Sequence, residues 1–202
     1  MPRTIPLIIV AAVAILLAAG GVAWTILSSQ PDGPRSTKTD GPQIGGPFDL
    51  ETTGGERVSE ADLKGKPFAI FFGFTHCPDV CPTTLNEMAG WIDALGEQAD
   101  DMRFAFVTVD PARDDAETMT YYVEAFSDRI IPLTGTEAEI DSMANTYKIY
   151  KEKVPLDDGE DYTMNHTAAV YLMDAEGEFV DVISFKDEQD QALRKLRALV
   201  EG

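Results

Sequence analysis

Residues 67–82 read PFAIFFGFTHCPDVCP. The opening PFAIFFGF, Pro67 to Phe74, is a nearly continuous apolar run, the pattern of a strand buried on both faces. From Pro82 to about Gln98, Leu85, Met88, Ala89, Ile92 and Leu95 recur at helical spacing, and Pro82 suits a first helical turn. Cys77 and Cys81, the only cysteines of the chain, therefore lie where a core strand gives way to a helix. Positions i and i+4 share a helix face, so the spacing predicts that both sulfurs converge on one point. Amides at a helix N-terminus also favour thiolate over thiol, the form that metal ligation and disulfide exchange both require.

The same alternation continues outward. Arg103 to Val109 reads as a second core strand, Asp115 to Phe126 as a helix and Ile130 to Thr134 as a short strand. Thr136 and Glu139 form a capping box for a helix running through Tyr147. Thr167 to Met173 and Glu178 to Phe185 flank Asp174-Ala175-Glu176-Gly177, a hairpin signature, and Asp187 is expected to cap a last amphipathic helix. Lys148 to Asp161 reads as a solvated loop, and Phe71, Phe72 and Phe74 read as core. This order predicts an α/β domain with a mixed central sheet and helices on both faces, a thioredoxin-like fold. It sets Cys77 and Cys81 at the head of the helix after the first core strand.

Upstream, residues 5–27 carry no charge and would make about 34 Å of helix, against about 30 Å for a bilayer core. Signal-peptide apolar regions run shorter, about 7–15 residues, so an uncleaved anchor is expected rather than a cleaved leader. Residues 28–47, SSQPDGPRSTKTDGPQIGGP, are rich in Pro, Gly and Ser and read as a flexible tether. The expected organisation is an anchor at 1–27, a linker at 28–47 and one domain at 48–202, facing the periplasm. The net charge of −19 argues against nucleic acid, whose phosphates require Lys and Arg.

Two cysteines cannot staple a disulfide framework; they can only pair with each other, and outside the cytoplasm a close pair needs a redox or metal explanation. An α-carbon separation of about 6 Å at this spacing makes a Cys77–Cys81 disulfide sterically possible. Four-cysteine iron–sulfur ligation is excluded by count, and a closed four-ligand zinc site would need His76, which adjoins Cys77. Two thiolates and one imidazole make a three-ligand set suited to copper. Taken by itself, His166 reads as a loop residue; beside the thiol pair and the motif below, it reads as the third ligand.

The segments GPFDLETTGGERVSEADLKGKPFAIFFGFTHCPDVCPTTL, TVDPARD and DYTMNHTAAVYLMDAEGEFV closely resemble the Sco/SenC family, from Gly46 to the C-terminus. The resemblance implies a membrane-tethered, thioredoxin-fold protein that helps assemble the binuclear copper centre of cytochrome c oxidase. By motif, it assigns copper, as Cu(I) or Cu(II), to Cys77, Cys81 and His166. It implies the copper-bearing oxidase subunit as partner, with other copper chaperones as further candidates. Many members carry Asp before the ligand histidine, where this chain has Asn165. Asp110-Pro111 matches the family's DP pair and reads as a strand-terminating turn.

A copper metallochaperone is thus expected. The alternative is a thiol–disulfide oxidoreductase that keeps the oxidase cysteines reduced, and a third reading is a copper or redox sensor. Thioredoxin-type reductases generally use C-x-x-C with a proline before the facing strand. Here the spacing is C-x3-C, and Met164-Asn165-His166-Thr167 contains no proline. A peroxidase is disfavoured, since no Thr-x-x-Cys with a supporting Arg is present.

Overall fold

The structure, a computed structural model, describes residues 43–156 and 161–202. The anchor expected at 5–27 lies outside the described residues, as does most of the tether. No helix among the described residues is long and apolar enough to cross a membrane.

The domain is built on five strands in the order β5-β4-β3-β8-β9. Strands β3 (Phe68–Gly73), β4 (Arg103–Thr108) and β5 (Ile130–Leu133) run parallel, and β8 (Ala169–Met173) and β9 (Phe179–Ser184) complete the sheet as an antiparallel hairpin. All six residues of β3 are buried, which is why its sequence lacks alternation. Phe68, Phe71, Phe72, Phe104 and Phe106 fill the centre of the core. The mixed sheet and its helices match the expected thioredoxin-like arrangement.

Ahead of β3 lies a small unit that the apolar pattern did not reveal. Strands β1 (Asp49–Glu51) and β2 (Arg57–Ser59) pair around a 3-10 turn, and the short helix α1 (Glu60–Leu63) follows. Glu51 exchanges backbone hydrogen bonds with Thr134 at 2.7 and 2.8 Å, joining this unit to the end of β5. The end of the expected tether is also engaged, since the Gly45 N–H donates to Thr146 O.

Helix α2 (Val80–Leu95) begins two residues before Pro82 and ends at Gly96, whose φ of 58° with ψ of −126° is a conformation only glycine adopts readily. Residues 96–101, partly read as helix from the sequence, form a 3-10 turn. Helix α3 spans Ala116–Glu124 and α4 spans Glu137–Tyr147. The Thr136–Glu139 capping box is present as expected, with the Glu139 carboxylate accepting from Thr136 N–H at 2.7 Å. That bond, aided by Arg57 and the Thr136 hydroxyl, holds the Glu139 carboxyl down to about 2. Its stabilising contribution is complete above the ordinary glutamate value and is lost as pH falls towards 2. Thr136→Ala is expected to cost about 1 kcal/mol at neutral pH. The cost should shrink in denaturant melts repeated below pH 3.

Two expectations need correction. Lys148 to Asp161 is not simply a loop: Lys151–Pro155 forms β6, paired antiparallel with β7 (Tyr162–His166). Its charged residues Lys151, Glu152 and Lys153 succeed one another without apolar alternation, Lys151 pairing with Asp141 and the other two exposed, which hides its strand character from hydropathy. The last helix, α5 (Gln189–Glu201), is preceded by Glu188 at its cap position rather than Asp187. Asp187 instead binds Lys195 at 3.0 Å, tying the entry of α5 to its second turn.

Candidate metal centre

Strand β3 ends at Gly73, and residues 74–79 turn the chain into α2. The Cys77 N–H donates to Phe74 O within this turn, so Cys77 sits in the loop and only Cys81 in the helix. The two sulfurs therefore converge through a loop and a first helical turn, and not along one helix face as the spacing suggested. The Cys81 N–H donates to Cys77 Sγ at 3.4 Å, the helix-terminal amide contact expected to favour a thiolate.

The hairpin β6–β7 delivers the third donor from the opposite side. His166 ends β7, and its Nε2 lies 3.5 Å from Cys81 Sγ. Its Nδ1 lies 3.1 Å from Thr167 O, which can only accept, so Nδ1 donates in that contact and Nε2 is the ring nitrogen turned towards the sulfurs. One donor atom each from Cys77, Cys81 and His166 falls within 4.8 Å of the others. Phe71 and Phe74 pack edge-on against the imidazole at 6.2 and 5.8 Å. The aromatic run read as core is thus also the wall of this cluster.

Both cysteines are free thiols; the disulfide that their spacing permits is not formed here. They differ in environment. Cys77 is half-buried, and the Cys81 thiol directed at it holds its pKa down to about 3 against burial, with help from His166 and the amides of Asp79 and Cys81. Cys81 is fully buried, and the same Cys77 sulfur together with burial pushes its thiol up. Iodoacetamide is therefore expected to label Cys77 of the reduced protein first and Cys81 only slowly. Peptide mapping over time checks this, and equal rates would contradict the burial difference.

His76 is not part of the cluster. Its side chain is 53 % exposed, with Nδ1 3.1 Å from Thr75 Oγ1 and 3.8 Å from Asp114. Asn165 is exposed and pairs across the hairpin with Glu152. Alternation along β7 puts it on the face opposite His166, so the missing aspartate charge would not face the sulfurs. Asp110 begins the expected turn, its carbonyl accepting from the Arg113 and Asp114 amides. Its buried carboxylate additionally accepts from the Tyr162 hydroxyl at 2.9 Å.

Three neighbours escaped the sequence reading. Asp114 is fully buried and accepts from Thr75 N–H at 3.0 Å, Thr75 Oγ1 at 2.6 Å and Thr108 Oγ1 at 2.6 Å, pinning the start of the cysteine loop to β4. It stands in the TVDPARD segment, but nothing in that string distinguishes it from Asp110. Gly73 lies so close to Cys81 that a Cβ there would meet Sγ at 2.7 Å. The Tyr122 hydroxyl is buried with no hydrogen-bond partner among the described residues; burial, then the charges of Cys81 and Cys77, keep it protonated.

Two sulfurs and one imidazole nitrogen, partly shielded by aromatic rings, form a three-donor set for a soft metal ion. Fold and cluster together define an α/β domain in which two cysteines of the strand-to-helix turn and a histidine of a separate hairpin could hold a metal ion. The profile of the SCO1/SenC family matches residues 36–201, and the chain belongs to that family. It is 42% identical over 142 residues to human "Protein SCO1 homolog, mitochondrial", covering 69% of this chain and 47% of that protein. The chain spans about half the length of the first curated relatives it matches. Among solved structures, it is similar to Bradyrhizobium japonicum ScoI with copper bound, with 46% identity and a TM-score of 0.72 over 77% of this chain and 99% of that one. Arabidopsis thaliana ScoI with copper bound gives 38% identity and a TM-score of 0.73, over 78% and 98% of the two chains.

Proposed function

We propose that this protein binds copper through Cys77, Cys81 and His166 and delivers it to the copper-bearing subunit of cytochrome c oxidase. The observation that carries the reading is the convergence of the three donors within 4.8 Å, with His166 Nδ1 against the Thr167 carbonyl and Nε2 turned towards the sulfurs. Copper-bound relatives of the same fold support the choice of metal. Thiolate ligands favour Cu(I), and the imidazole also suits Cu(II). Delivery to the oxidase rests on the family resemblance. The uncharged segment 5–27 is proposed as a single-span anchor, with the domain on the periplasmic side of the cytoplasmic membrane.

A reductase role for the same dithiol is the second reading, favoured by the low thiol pKa and half-exposure of Cys77. The two roles part at His166. His166→Ala keeps both thiols but removes the third donor. In cells lacking the native protein, this variant is expected to fail in assembling the oxidase copper centre, read by oxidase activity and by copper content of the purified enzyme. Full restoration by His166→Ala would replace the carrier reading with the reductase one.

A further inference from the structure

His166 is carried by a hairpin that is not part of the main sheet: β6 and β7 form a separate two-stranded sheet. Such a hairpin is marginal unless something packs on it. Tyr162, Met164 and His166 share one face of β7 by the two-residue period of a strand, so whatever holds Tyr162 also sets the face that His166 presents. Met164 packs against the core, which identifies this face as the inward one.

Tyr162 is held chiefly by Arg113, from the turn that follows β4, with Lys153 and Asp110. The Arg113 guanidinium lies over its ring, with Cζ 3.7 Å from the centroid, while Lys153 Nζ covers the ring at 3.4 Å. Arg113 Nη1 donates to Tyr162 O at 2.9 Å and to Asp161 Oδ1 at 3.1 Å. Arg113 Nε donates to Asp110, whose other carboxylate oxygen accepts from the Tyr162 hydroxyl. The same guanidinium stands 5.9 Å from the Phe74 ring, and Phe74 packs edge-on against His166. Arg113 thus touches both supports of the imidazole, the strand that carries it and the ring that walls it.

Resting on the copper-binding reading above, we propose that Arg113 is the positioning residue for the third ligand, clamping the β6–β7 hairpin so that His166 Nε2 meets the two sulfurs. The guanidinium does so by its planar shape and its fork of donors, which stack and hydrogen-bond at once. A lysine would supply the charge without the fork.

The test uses Arg113→Met and Tyr162→Leu in the full chain. Arg113→Met strands the buried Asp110 carboxylate and can cost stability for that reason. Tyr162→Leu leaves the Arg113–Asp110 pair and the Arg113 bonds to the residue-162 carbonyl and Asp161 in place, so it isolates the share of the stacked ring and its hydroxyl. In the metal-free protein, hydrogen exchange at the β6–β7 amides should accelerate and the His166 ring resonances should shift, while β3 and β4 stay protected. With copper bound, release should quicken by about 10–100-fold, as for loss of other outer-shell partners of a metal site. The Cu(II) absorption and electron-resonance spectra should move towards those of His166→Ala. Arg113→Lys should restore these properties only in part. Unchanged hairpin protection together with unchanged His166 resonances in folded Arg113→Met or Arg113→Lys would overturn the proposal. The metal-free measurements decide the role of Arg113 independently of copper: a wild-type protein that took up no copper would remove the proposed function, and the exchange data would still stand for or against the clamp.

Discussion

Cys77→Ser, Cys81→Ser and His166→Ala are each expected to abolish tight copper binding by the reduced protein, while His76→Ala leaves it nearly intact. With one donor atom from each of three residues, the site has no redundancy, and losing any one leaves two donors and a vacancy for water or buffer. The loss should exceed the roughly 10–100-fold that removal of an outer-shell partner costs. Serine is a hard, neutral oxygen donor at neutral pH and does not replace a soft thiolate. The three variants should differ in character. His166→Ala retains both sulfurs and should keep residual Cu(I) binding while losing Cu(II), whereas either serine variant should lose both. His76 sits outside the cluster, its Nδ1 beside Thr75 and Asp114, so its removal takes away no donor. Copper stoichiometry after competition with a chelator checks the set. Retention by His166→Ala with loss in His76→Ala would overturn the ligand assignment.

The parts of the fold that could be read in advance are those whose burial leaves a periodic or continuous apolar trace. PFAIFFGF had to be a strand covered on both sides, and Leu85, Met88, Ile92 and Leu95 had to be one face of a helix. The unit around β1 and β2 left no such trace: its strands are three residues long and owe their place to backbone pairing with Thr134. Hairpin β6–β7 was hidden for a related reason. Lys151, Glu152 and Lys153 put charge on both faces of a two-stranded ribbon, Lys151 answered by Asp141 and the other two exposed, so composition mimics a loop. That hairpin is what brings His166, expected as a ligand from its motif, to the sulfurs. Asp114 and Arg113 were beyond reach because their roles depend on partners 39 or more residues away in the chain, Thr75 for the one and Tyr162 for the other. A short string of charged residues after a strand reads as a turn whichever of them is buried.

Gly73→Ala is expected to disable the metal site and to destabilise the domain, although the added group is one methyl. A Cβ at Gly73 would lie 2.7 Å from Cys81 Sγ and 2.8 Å from the Phe106 ring. Neither neighbour has room to yield. Phe106 is fully buried, stacked against Phe71 at 5.7 Å and Tyr122 at 6.1 Å, and Cys81 is fixed in the first turn of α2. Gly73 itself is anchored, since its carbonyl accepts from Val109 N–H at 2.7 Å. Overpacking of this kind costs about 1–3 kcal/mol, which for a domain of this size lowers Tm by roughly 2–12 °C. Part of the strain falls on Cys81 Sγ, a donor of the site, so copper retention should fall by more than the stability loss alone accounts for. Gly90→Ala provides the control, because Gly90 lies within α2 and an added Cβ meets nothing within 4 Å. That substitution should stabilise by about 0.5–1 kcal/mol through helix propensity and leave copper binding untouched. Thermal melts of the metal-free protein and copper retention of both variants decide the matter. A Gly73→Ala protein with wild-type Tm and wild-type copper retention would show that the close approach of β3 to Cys81 does not constrain the site.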